Sequence, residues 1–81
     1  MSINVLQANN QARQLREQAA ALRGIQSTLA LHQRNLNVHW RGEEMIPTNE
    51  AIEQKLKNLA SVASELDSIS NDIVKVAEAC Q

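Results

Sequence analysis

From Ile52 to Cys80 an apolar or small residue recurs at alternating steps of four and three: Ile52, Leu56, Leu59, Ala63, Leu66, Ser70, Ile73, Ala77 and Cys80. A mean step of about 3.5 residues keeps one edge of a helix turned toward a supercoiled partner. A second line, Val62, Ile69 and Val76, runs beside it every seven residues, so the apolar face is wider than one partner helix needs. Whatever fold this chain takes must supply a long helical partner for that edge.

The chain carries such a partner in its own first half. Leu15, Ala19, Leu22, Ile25, Leu29, His32 and Leu36 keep the same mean spacing, with a repeated three-residue step at Leu22 to Ile25 that shifts the seam locally without ending it. Ala8 and Ala12 extend this line toward the N-terminus. Between the arms, near the midpoint, stands Trp40-Arg41-Gly42, which holds the only aromatic residue. With two Gly and one Pro there is little turn material for a sheet. The expected fold is all-α, an antiparallel two-helix hairpin with Trp40 packed at the bend and Gly42 turning the backbone. Helix one is expected over about 5–38, the bend over 39–47 and helix two over about 48–80. Thr48 is the expected cap of the second helix, with Glu50 in its first turn. Ile46 precedes Pro47 and is expected to be extended. A start at Gly42 would place Pro47 where it breaks a backbone bond.

A single domain of 81 residues without Tyr or Phe has a small core of Leu, Ile, Val and Ala and is marginal alone. A hairpin leaves one side of each helix wet, so dimerisation into a four-helix bundle is the expected product, with the Val62, Ile69, Val76 stripe, Leu31 and Val38 covered in it. The residues expected at the hairpin and dimer interfaces are Leu15, Leu22, Ile25, Leu29, Leu36, Ile52, Leu56, Leu59, Val62, Leu66, Ile69, Ile73 and Val76.

Charge divides between the arms. The first holds Arg13, Arg16, Arg23, Arg34 and Arg41 against Glu17 alone; the second holds Lys55, Lys57 and Lys75 against eight acids. Opposite signs favour the arms lying together, although an exposed pair is worth only about 0–1 kcal/mol. Arg16, Arg23, Arg34 and Arg41 share a helical stripe. It reads either as a docking surface for an acidic partner or as a solvated flank paired to acids such as Glu53, Asp67 and Glu78.

Other functional classes find little support. The formal net charge of −1 suggests neither a nucleic-acid nor an anionic-membrane partner. The first residues have no basic start and no sustained apolar run, so neither a cleaved signal nor membrane insertion is expected. The lone Cys80 makes no internal disulfide. His32 and His39 are two turns apart, not at the i, i+4 spacing of a metal pair, and no metal, cofactor or catalytic residue is expected. Gly24 is either a tolerated defect in the first helix or a point of close approach between helices.

Two helices of equal length, the central Trp-Arg-Gly and the absence of a signal peptide resemble the WXG family, the ESAT-like helical hairpins of type VII (ESX-type) secretion in Gram-positive bacteria and mycobacteria. The resemblance spans nearly the whole chain, and Trp40 and Gly42 match the family's bend motif. It implies a homodimer or heterodimer with a related hairpin, or pairing with the helical N-terminal segment of a larger secreted toxin. It also implies export without a cleaved signal peptide, driven by a secretion ATPase. Many members carry Tyr-x-x-x-Asp/Glu after the second helix. No Tyr is present here, which leaves the signal to a partner or a tail beyond this stretch, or marks a member that is not itself recognised.

Trp40 then has two readings that can coexist: a recognition anchor at the end of a bundle, and an indole capping the hairpin core. Three rivals share parts of the pattern. An intracellular helical-hairpin adaptor has the same seams but no use for a Trp-x-Gly bend. A type III needle-like subunit is also a short hairpin, but resembles Pro-x-x-Pro at its bend, and this chain has one proline. An RNA-binding hairpin has only the arginine stripe in its favour.

Overall fold

The computed structural model describes residues 4–80. Two helices of 35 residues each, α1 (Val5–His39) and α2 (Met45–Ala79), are joined through residues 40–44, and the described residues include no strand. The chain is an all-α helical hairpin. Its antiparallel sense follows from the cross-links between the helices. Ser70 bonds to Ala12, Arg23 to Asp67, Gln26 to Leu56 and Gln33 to Asn49, so each advance along α1 retreats along α2.

Local chemistry sets the helix ends. Asn4 caps α1 by accepting the Gln7 N–H at 3.1 Å. At the other end Trp40 leaves the helix with extended backbone while its N–H still donates to Leu36 O. Gly42 then adopts φ +135°, a conformation that favours glycine at the turn; a Cβ there would also meet Glu44 Oε2 at 2.8 Å, a contact that the flexible Glu44 side chain can relieve. The N–H groups of Met45 and Ile46 donate to Gly42 O and Glu43 O, which closes the bend.

The second helix starts earlier than its sequence suggests. It begins at Met45 rather than 48, and Ile46 is helical rather than extended. Pro47 is the third helical residue. In the first turn an N–H has no intrahelical acceptor, so proline removes no bond there, and its fixed φ suits the helix. Thr48 is therefore inside the helix rather than its cap; its hydroxyl donates to Glu44 O at 3.5 Å. The bend is correspondingly shorter than 39–47.

The hairpin measures 62 × 15 × 11 Å along its principal axes. It is one helix thick, so the broad faces have no second layer within the chain. Between the helices, α2 follows the four-three line of its sequence and prolongs it backward through Asn49 to Met45, while Cys80, at its far end, is exposed. In heptad notation, Asn49, Leu56, Ala63, Ser70 and Ala77 are a residues, and Met45, Ile52, Leu59, Leu66 and Ile73 are d. On α1, Ala12, Ala19, Gln26 and Gln33 are a, and Ala8, Leu15, Leu22, Leu29 and Leu36 are d. The a residues lie deepest: Ala12, Ala19, Ala63 and Ser70 are wholly buried, and the remainder are buried or half-buried.

This register departs from the expected α1 seam. The three-residue step is not repeated from Leu22 to Ile25: the seam passes to Gln26 and later Gln33, while Ile25 and His32 are exposed. The reason lies in α2, whose unbroken heptad line demands an unbroken counterpart. Amide side chains serve that line because they find hydrogen-bond partners across the gap.

Candidate pairing face

Beside the d residues, on the same side of the hairpin, stand the g residues Ile25, His32 and His39 of α1 and Lys55, Val62, Ile69 and Val76 of α2. The four apolar members are 46–55% exposed. Half-buried Leu15, Leu22, Leu29, Leu59, Leu66 and Ile73 border them. Two helix edges thus merge into one apolar surface.

Grooves mark its continuity. One joins Leu22 and Leu29 to Lys55, Leu59 and Val62; a second, through Leu29, takes in Gly24, Ile25 and His32; a third, through His32, reaches Leu36, His39 and Trp40. Near the open end another holds Ala8, Gln11, Ile69, Asp72, Ile73 and Val76. Of the interface residues expected from sequence, Ile52 lies on the d line half-buried, and Leu56 is the one a residue, turned into the seam. The rest all belong to this face.

The opposite broad side is finished differently. There the e residues Arg23 and Asp67 form an ion pair, and Arg16 Nε donates to Ser70 Oγ at 2.8 Å while Ser70 donates to Ala12 O at 3.0 Å. With both groups partly exposed, the ion pair contributes about 0–1 kcal/mol. The Ser70 bonds matter more for geometry, since a wholly buried hydroxyl without partners would cost about 1–3 kcal/mol. Of the arginine stripe, Arg23 alone pairs with an acid across the helices among the described residues; Arg13 reaches Glu17 within α1.

Toward the bend a knot of amides bridges the seam. Asn49 Oδ1 accepts from Gln33 Nε2 and Asn37 Nδ2, and Asn49 Nδ2 donates to Asn37 Oδ1 at 2.9 Å. Sequence reasoning passed over these residues because they are polar. The signal was present: Met45 and Asn49 continue the four-three steps back from Ile52.

Several expectations change here. Trp40 does not cap the hairpin core: it is 60% exposed and lines a groove with α1 residues alone, while Met45 is the large apolar residue buried at that end. Leu31 and Val38 are also exposed, but lie on the f positions of α1, turned away from the Val62 stripe, so a partner on that stripe does not reach them. Gly24 is no point of close approach within the hairpin, since a Cβ there meets open space. His39 Nδ1 lies 2.8 Å from Asn35 O within its own helix. Among the described residues no three His, Cys, Asp or Glu side chains gather at a metal-binding distance, and no helix is long and apolar enough to cross a membrane.

In comparisons with known proteins, the chain matches no family model, no curated protein and no solved structure.

Proposed function

We propose that this chain is a WXG-like interaction module of a type VII (ESX-type) secretion system. It pairs with a related hairpin, or with the helical N-terminal segment of a larger secreted effector, and leaves the cell in that complex without a cleaved signal, driven by the secretion ATPase. The observation that carries the reading is the apex: the hairpin turns at Trp40-Arg41-Gly42 and leaves the indole outside the seam, free to meet another molecule. The apolar g line supports the pairing half of the reading, because a row of exposed Val and Ile along a helix marks a surface that another molecule covers.

The test is secretion in the native host. Protein in the medium of cells with an intact secretion ATPase, and none when its ATP site is disabled, supports the reading. Retention in the cell in both strains favours an intracellular adaptor, and filament growth at high concentration favours a needle-like subunit. A Trp40→Ala variant should remain a folded hairpin by circular dichroism and fail to be exported.

A further inference from the structure

After Leu22, α1 carries two lines that fit against α2, and they differ by one heptad position. In the observed orientation Gln26 and Gln33 lie at a and Leu29 and Leu36 at d, while Ile25 and His32 stand exposed at g. Turning this half by one position, about 50°, moves Leu29 and Leu36 to a, Ile25 and His32 to d, and the amides to the solvent edge at e. The first half has no such alternative. The same turn there would lift wholly buried Ala12 and Ala19 out of the seam and bring Gln11 and Gln18 into it.

Gly24 stands at the junction of the two halves. A Cβ there would meet open space, so packing gives no reason for a residue that loosens a helix. The turn requires a three-residue step from Leu22 to Ile25, which overwinds the helix locally, and glycine is where the backbone yields most easily. The two orientations are closely balanced. The turn breaks the bonds of Gln26 to Leu56 O and of Gln33 and Asn37 to Asn49. The freed amides of α1 rebond to water, so the net loss is small. In exchange Ile25, 55% exposed, and Leu36, 38% exposed, gain burial. Asn49, left in the seam, meets the imidazole of His32, one residue from Gln33, which both donates and accepts.

We propose that residues 25–39 turn about the helix axis between these two orientations, with Gly24 as the pivot, while residues 5–22 stay fixed on α2. The second orientation takes Ile25 and His32 off the pairing face and puts Thr28 and Asn35 in their place. The turn thus sets how apolar the α1 edge of that face is. This consequence rests on the reading of the chain as a pairing module; the turn itself belongs to the single hairpin.

Relaxation dispersion of the backbone amides in the full chain reads the turn directly. The expected result is exchange over residues 25–39 and the facing residues 45–56, with residues 8–22 flat. Ile25→Gln removes the apolar line and touches no amide bond, so it should reduce the exchange over residues 26–38 about fivefold. Gln33→Glu introduces a carboxylate that only the second orientation leaves in water. It should make that orientation the major one, read as contacts of the Ile25 methyls with Leu56 or Leu59. A flat profile in the parent, or exchange spread evenly over both halves, would overturn the proposal. So would exchange that survives Ile25→Gln, as fraying at the bend does, or a Gln33→Glu hairpin, helical by circular dichroism, whose Ile25 stays outside the seam. Should that variant lose its helices, the Ile25→Gln profile decides alone. Failure of export in the native host would leave the turn standing, and a flat profile would leave the proposed function standing.

Discussion

The two ends of the seam hold the helices together by different means. At the open end, Ala8, Ala12 and Ala19 face Ala63, Ser70 and Ala77, all buried, and the single polar side chain has its hydroxyl satisfied twice. At the bend end, half-buried Gln26, Gln33, Asn37 and Asn49 reach across to one another or to backbone. Small residues let two helices approach closely and leave no room for error in volume. Amides tolerate a wider, wetter gap and set register through directional bonds. The hairpin is therefore packed at its open end and pinned at its bend.

The sharpest way to break this contrast is to add volume at each end. Ala63→Leu should cost about 2–3 kcal/mol in urea unfolding at fixed protein concentration, because the wholly buried site cannot expand without separating the helices. Gln33→Leu, at the wetter end, should be close to neutral. Equal penalties would show that the two ends do not differ. Next in size, Asn49→Ala removes three amide bonds at once and should cost about 1.5 kcal/mol, with faster amide exchange confined to the bend half. Loss of protection at the open end instead would mean that the amides do more than pin the bend.

Between the two ends lies Gly24, whose missing Cβ would meet open space. Gly24→Ala should raise stability by about 1 kcal/mol, read as a higher melting temperature. A loss instead would place another molecule close against that helix and sharpen the account of the pairing face. The smallest effect belongs to Arg23→Ala, which removes the half-exposed bridge to Asp67. It should cost about 0.5 kcal/mol and shrink further in high salt.

Much of the fold was legible in residue order. The α2 seam from Ile52 to Ala77 follows from spacing alone, because eight positions on one 3.5-residue line leave a single edge to bury. The bend followed from Gly42, whose φ only glycine adopts readily. The first arm was harder, since it carries two adjacent lines after Leu22. Leu29 and Leu36 are common to both; one line adds Ile25 and His32, the other the amides Gln26 and Gln33. Apolar preference selects the first, and the hairpin uses the second. Trp40 misled for a related reason: a large aromatic beside a bend suggests burial, but its backbone leaves the helix before the turn and Met45 occupies the end of the seam.

What the chain determined by itself is therefore its two helices, their near-equal lengths, the glycine turn between them and the buried edge of α2. All of these arise from local propensity, from periodicity and from one unusual φ, each of which acts over a few residues. Only the tertiary structure decided which edge of α1 faces α2, because that choice depends on bonds between residues far apart in sequence, such as Gln33 and Asn49. Once the amides satisfy one another in the seam, Ile25 turns outward and joins Val62, Ile69 and Val76 in one surface. No single-helix pattern contains that surface, since half of it comes from each arm and the hairpin's register alone brings the halves together.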